Sequence, residues 1–173
     1  MNEVLNCLET RRSVRKYLPK QIADAELNAI LGAGIYAPTA MGRQSPKIVV
    51  LQKPEDVAEL ERMNAAVLGN PDSHPFYGAP TVLVVLADAK AGTAVEDGSL
   101  VLGNLMNAAH ALGVGSCWIH RAREEFASDE GKALLKRWGI EGDWVGVGHC
   151  ILGYAAEPAA PAKPRKADYI VRV

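Results

Sequence analysis

Thr81-Val82-Leu83-Val84-Val85-Leu86 runs six residues without a charge. Side chains alternate between the two faces of a strand, so this one is apolar on both, and the sheet that holds it needs helices above and below. The segment reads as a central strand. Upstream, Lys47-Ile48-Val49-Val50-Leu51 has the β-branched density of another buried strand. Downstream, Ser116-Cys117-Trp118-Ile119 and the run from Val145 to Leu152 read as two more core strands.

The helices that cover such a sheet are visible as apolar stripes. Met1, Val4, Leu5 and Leu8 recur at helical spacing and define a short first helix that ends at Arg11-Arg12-Ser13-Val14-Arg15. Asp24 is expected to cap a second helix with Leu27, Ile30, Leu31 and Ile35 facing the core, stopped by Pro38. Ala37 to Pro46 is then a loop. Pro54, followed by Glu55 and Asp56, opens a third helix with Val57, Leu60, Met63 and Val67 turned inward. Residues 69–80 hold turn formers around the aromatic pair Phe76-Tyr77 and read as an irregular connection. From Val95 to Leu112 the chain is apolar nearly all round, which predicts a buried helix, with Gly103 and Ala108 permitting close packing. Gly113 ends it, and a shorter helix runs from Asp129 to Trp138 before Gly139.

Beyond Gly153 the composition changes. Pro158, Pro161 and Pro164 among alanines favour an extended arm that does not pack on itself. Tyr169-Ile170-Val171 at its end is expected to pair as a strand with a sheet edge, its own or another subunit's. No internal repeat is present, so the chain is read as one domain, residues 1–173, with a core over 1–153 and a C-terminal arm over 154–173.

The 173 residues are 49% hydrophobic and carry a formal net charge of -1, which fits one soluble globular domain and argues against a dedicated nucleic-acid binder. Met1 to Thr10 carries Asn2, Glu3, Asn6 and Glu9 rather than a basic segment and an apolar core, so the expected location is the cytoplasm. Cys7, Cys117 and Cys150 are odd in number and far apart, which favours reduced, buried thiols over a disulfide framework.

The chemistry suggested by the residues is anion binding. Arg11, Arg12 and Arg15 with the hydroxyl of Ser13 lie near one end of the chain, and Lys163-Pro164-Arg165-Lys166 near the other. The guanidinium fork pairs bidentately with phosphate oxygens, and each charge-assisted hydrogen bond contributes roughly 1.5–3 kcal/mol. A fold that joins both ends would hold a phosphorylated cofactor.

In the order and spacing of its motifs the chain resembles the flavin-dependent nitroreductase family, specifically its short members. The resemblance rests on Arg11-Arg12-Ser13-Val14-Arg15 after a first helix, Ala37-Pro38-Thr39-Ala40 ahead of Gln44, and Phe76-Tyr77-Gly78-Ala79-Pro80 before a strand. It continues through Asn104-Leu105-Met106-Asn107-Ala108-Ala109, Gly113 to Trp118, Gly153-Tyr154, and Lys163-Pro164-Arg165. It implies an α+β fold with a central, mostly antiparallel sheet flanked by helices. It further implies an intertwined homodimer that exchanges C-terminal arms and binds FMN at the interface, with NADH or NADPH as electron donor. Arg11, Arg12, Ser13, Lys163 and Arg165 match the phosphate and ribityl contacts. Arg15 matches a cation near the pyrimidine end of the isoalloxazine, where negative charge accumulates on reduction.

On the same resemblance, Pro38, Thr39 and Ala40 match a loop lying along the flavin from the second subunit, with Gln44 as a polar contact nearby. The chain departs from the commonest pattern at Gly42 and at Ser45-Pro46. Asn64 matches an amide contact to the flavin edge, with a polar helix face as the competing reading. Cys117, Trp118 and Ile119 match the place where backbone approaches the ring. Phe76 and Tyr77 are expected to shape the mouth of the substrate pocket. The implied reaction is reduction of a nitroaromatic, quinone or similar small acceptor in two alternating half-reactions, with the flavin N5 carrying hydride and no catalytic side chain required. A non-catalytic flavin-binding or storage module stays open as the alternative.

Metal binding is set aside: Cys117 and His120, with His149-Cys150, lack the tight paired spacings of structural zinc sites. His110 is read as a hydrogen-bonded core residue, and Gly113-Val114-Gly115 lacks the rest of a dinucleotide fingerprint.

Overall fold

A computed structural model describes residues 2–173; Met1 and its place in the first apolar stripe lie outside the described residues. Four strands, β1 (Pro46–Leu51), β2 (Thr81–Asp88), β3 (Gly115–Ile119) and β4 (Trp144–Gly153), form one sheet in the order β1-β2-β4-β3. Every neighbouring pair is antiparallel. Helices α1 (Glu3–Thr10), α2 (Asp24–Ile35), α3 (Pro54–Leu68), α4 (Ala94–Ala111), α5 (Ala122–Ala127) and α6 (Asp129–Arg137) complete the fold. The α+β class expected from the chain is the class observed.

The charge-free run in β2 works as its composition predicts. Val82, Val84 and Leu86 enter one core with Leu60, Met63, Phe126 and Leu134, while Leu83, Val85 and Ala87 enter a second with Ile30, Leu102 and Leu105. Each core seals one face of the sheet. Gly98 lets α4 approach β4, since a Cβ there would meet Val147 Cγ2 at 2.5 Å. Gly103, by contrast, faces open space and packs against nothing in this chain.

Several local expectations are corrected. Asp24 is the first helical residue of α2, not its cap; Glu26 instead reaches back to accept the Ala23 N–H at 2.9 Å. Ile35 and Val67 are exposed, as are Leu100 of α4 and Leu112 just past its end. The stripe Val4, Leu5 and Leu8 on α1 is also exposed, so apolar periodicity here marks surface that this single chain leaves uncovered. The loop after α2 contains a short 3-10 turn over Ala40–Gly42, and α5 was not anticipated. Tyr169-Ile170-Val171 pairs with no strand of its own chain and is exposed.

His149 of β4 is fully buried, paired with the carboxylate of Glu125 and flanked by Phe76 and Phe126. Cys117 and Cys150 enter opposite cores, and burial pushes the Cys150 thiol well above its ordinary range. No helix among the described residues is long and apolar enough to cross a membrane.

Candidate functional site

Helix α1, capped by Asn2 Oδ1 accepting from Val4 N–H, ends where Arg11 N–H donates to Cys7 O. The chain then runs extended along β3, the edge strand of the sheet: Ser13 bridges Ser116 in parallel, and Val14 N–H donates to Ser116 O at 2.9 Å. Tyr17 anchors this segment. Its ring is buried in the core, its hydroxyl donates to Val14 O at 2.7 Å, and its backbone bridges Ala155 at the root of the arm. Leu18 N–H to Tyr154 O, Ala156 N–H to Lys16 O and the Lys16–Glu157 ion pair extend the same seam. The 11–18 segment therefore lies between the sheet edge and the start of the C-terminal arm.

That seam turns the arm back toward the arginines. Arg11, Arg12, Ser13, Arg15, Lys163 and Arg165 line one cavity of about 290 Å3, together with Ala160, Pro161 and Ala162. Residues some 150 positions apart in sequence thus share a single cationic recess. Arg11 Nη1 is buried without a hydrogen-bond partner, a donor that a folded chain rarely leaves idle. Arg12 Nη1 donates to Glu9 O and Arg11 O, closing the carbonyl end of α1 with a cation. Nearby, His110 accepts or donates at 2.9 Å to the Thr10 hydroxyl, and burial followed by the Arg11 and Arg12 charges holds its pKa below the usual histidine range. The recess gathers several cationic side chains and one hydroxyl, groups whose chemistry pairs with anionic oxygens.

A second cavity, about 330 Å3, opens beside the outer edge of β1 and is lined by Leu31, Ile35, Ala37, Pro46, Ile48, Val50 and Val101, with Thr39 and Gln44 as its polar members. The loop that supplies those two is held tightly. Gln44 N–H donates to Thr39 Oγ1, Ala40 N–H to Asp97 Oδ1 at 3.0 Å, and Ser45 Oγ to Asp97 Oδ2 at 2.8 Å. Asp97 lies on α4, is 3% exposed and also accepts from the Thr93 hydroxyl. The Ala40 N–H bond lowers its pKa; burial opposes this, and the Ser45 and Thr93 hydroxyls add to the lowering. Pro38 is exposed at the entrance to this loop.

Other expected site residues stand elsewhere. Cys117, Trp118 and Ile119 continue β3 past the Ser13 bridge, along the same sheet edge as the cationic recess. Asn64 lies on no polar face: it is fully buried, with Nδ2 donating to His120 O at 2.8 Å and Oδ1 accepting from Arg121 Nε at 2.9 Å. Its amide fastens the turn after β3, where Arg121 has φ +81°. Phe76 does not shape a pocket mouth; at 1% exposure it packs in the core against His149. Tyr77 beside it is exposed, with φ +53°.

Tyr17 and Asp97 were missed by sequence reading. Asp97 carried a usable signal, a carboxylate among the apolar residues of α4, because a buried charge must find partners.

A family model described as the nitroreductase family matches residues 8–76 and 70–154. A protein of Archaeoglobus fulgidus carrying the provisional name NADH dehydrogenase/NAD(P)H nitroreductase is 32% identical over 159 residues, 89% of this chain and 86% of its own. A similarly named protein of Methanothermobacter thermautotrophicus is 30% identical over 124 residues, and there the match spans 67% of this chain but 60% of the relative. Among solved structures, a nitroreductase with bound FMN from Bacteroides fragilis superposes with a TM-score of 0.91 at 34% identity, covering 100% of both chains. Another with bound FMN, from Desulfitobacterium hafniense, gives 0.89 at 29% identity over 100% of this chain and 99% of that one.

Proposed function

The chain belongs to the nitroreductase family, and from that premise we propose that it is an FMN-dependent oxidoreductase that uses NADH or NADPH to reduce nitroaromatic, quinone or similar small acceptors. One observation carries the reading: Arg11, Arg12, Ser13, Arg15, Lys163 and Arg165 converge on one recess. The recess suits a phosphate monoester. It offers several cations, a hydroxyl, and in Arg11 Nη1 a buried donor with no partner of its own.

When bound, FMN supplies a ring that takes hydride from the nicotinamide and yields it to an acceptor in alternating half-reactions. The residues of the chain bind and orient. Arg11, Arg12, Ser13, Lys163 and Arg165 would hold the phosphate and ribityl chain, and Arg15 would place a cation where the reduced ring gathers negative charge. The β3 edge at Cys117–Ile119 runs on from the recess and is the surface along which the ring would lie. Pro38, Thr39, Ala40 and Gln44 would reach it from a second subunit. Asn64 and Phe76 are engaged inside the fold and are left out of this contact set.

A homodimer with exchanged arms is part of the proposal. The exposed stripe of α1, Leu100 of α4 with Leu112 at its end, and the exposed Tyr169-Ile170-Val171 are apolar surfaces that support burial against a second chain.

The test is the visible spectrum of purified protein, followed by anaerobic addition of each nicotinamide. A yellow protein bleached by NADH or NADPH and reoxidised by p-benzoquinone is the expected result. A yellow protein that neither nicotinamide bleaches would be a flavin-binding module, and a colourless one that takes up no FMN would end the proposal.

A further inference from the structure

We propose that Asp97 is a positioning residue for the loop read above as a flavin contact: its buried carboxylate clamps both ends of the Ala40–Ser45 loop and so holds Thr39 and Gln44 at the wall of the apolar cavity beside β1. The inference rests on the flavin reading above, because the clamped loop is the one assigned to the ring of the second subunit.

The geometry of the loop requires a clamp. Met41 at φ +56° and Gln44 at φ +52° both occupy the left-handed region, which disfavours residues with a Cβ and persists only where surrounding contacts impose it. Met41 is exposed at the tip, where its thioether meets only the Arg43 guanidinium. Gly42 N–H to Thr39 O and Arg43 N–H to Ala40 O close the turn around Met41, Gln44 N–H to Thr39 Oγ1 ties its end, and Ala40 N–H to Asp97 Oδ1 with Ser45 Oγ to Asp97 Oδ2 fasten that turn to α4. Beyond the clamp, Asp88 N–H donates to Ser45 O and fixes the exit into β1.

Asp97 is itself fixed. It sits near the N-terminal end of α4, where the helix dipole favours a negative charge, and its own N–H donates to Thr93 O. Next to it, Gly98 lets the helix press on Val147 of β4. The carboxylate thus transmits the position of the central sheet to the loop through one packed helix and two hydrogen bonds. Ser45, where this chain departs from the commonest family pattern, supplies the hydroxyl of one of those bonds.

The experiment compares the FMN-loaded protein with Asp97→Ala, Asp97→Asn and Ser45→Ala. Asp97→Ala should lower kcat/KM for p-benzoquinone on the order of tenfold or more, as misplacement of a positioning group does, and should change the visible band shape of the bound flavin. FMN affinity should change much less, because the phosphate recess is untouched. Asp97→Asn should recover most of both properties, since its Oδ1 still accepts from Ala40 N–H and Ser45 can turn its hydroxyl. Ser45→Ala keeps the Ala40 bond, and it carries the test if Asp97→Ala does not fold, with the same changes in smaller degree. A loss of thermal stability with an unaltered spectrum and unaltered kcat/KM in Asp97→Ala or Ser45→Ala would overturn the inference. Amide exchange of Ala40 and Gln44 reads the clamp without flavin: it should quicken in Asp97→Ala, and unchanged exchange would refute the clamp. A colourless wild-type protein with that exchange still quickened would instead refute the flavin reading alone.

Discussion

Replacing Arg11 by Ala tests the anion recess most directly. Arg11 lines the recess and its buried Nη1 has no hydrogen-bond partner within the chain, so the bond it can make to a phosphate oxygen displaces little that is already formed. A charge-assisted hydrogen bond contributes about 1.5–3 kcal/mol, which corresponds to a loss of FMN affinity between roughly tenfold and 150-fold. Linkage gives a second reading of the same number. At a flavin concentration of 100 times the wild-type Kd, binding stabilises the fold by about 2.7 kcal/mol, and a hundredfold weaker variant at that concentration keeps only about 0.4 kcal/mol. The assay is quenching of FMN fluorescence by apoprotein at fixed ionic strength, with thermal unfolding measured with and without FMN. The apoprotein should unfold at nearly its wild-type temperature while most of the FMN-induced upshift disappears. Arg11→Lys, which keeps the charge but loses the fork, should fall between. A Kd within twofold of wild type in Arg11→Ala would refute the reasoning.

Other perturbations separate the parts of the structure. Arg15→Ala should retain partial FMN binding but lower the flavin reduction potential by on the order of 20 mV, as expected when about 1 kcal/mol of charge stabilisation is lost from a two-electron couple; anaerobic dye equilibration measures it, and an unchanged potential removes the role given to Arg15. Phe76→Ala should cost about 3–5 kcal/mol in urea unfolding because the ring is core. Gly98→Ala places a Cβ 2.5 Å from Val147 Cγ2 and should cost about 1–3 kcal/mol through overpacking, read as a lower Tm. Asp97 also makes stability depend on acid: the Ala40 N–H bond holds its folded pKa below the unfolded value of about 3.9, so its contribution is complete above that value and is lost as pH falls through the folded pKa. Acid unfolding of Asp97→Asn should accordingly show a shallower pH dependence in that window.

Much of the architecture is legible because it follows from short-range periodicity. The charge-free run of β2 requires a two-sided cover, and α2 and α4 on one face with α3, α5 and α6 on the other provide it. The basic groups at residues 11–15 and 163–165 are legible as anion chemistry because guanidinium and phosphate recognise each other whatever the fold. Errors arise where periodicity speaks of apolarity but not of what covers it. Ile35, Leu100, Leu112 and the α1 stripe keep the spacing of core residues while one chain leaves them exposed. Phe76 and Tyr77 show the limit at single-residue scale: adjacent aromatics in one turn go to core and to solvent, because the backbone turn at Tyr77, not residue type, sets their directions.

Local order along the chain was enough to specify the strands and most helices and to suggest an anionic ligand, since propensity, alternation and side-chain chemistry act over a few residues. Tertiary contacts alone established that Tyr17 ties the arginine segment to the root of the arm, that Arg11 and Lys163 face one recess, and that Asp97 grips the Ala40–Ser45 loop. Those pairings join residues tens to more than a hundred positions apart. Their partners are selected by where the packed sheet and helices deliver them, and no local pattern encodes that geometry.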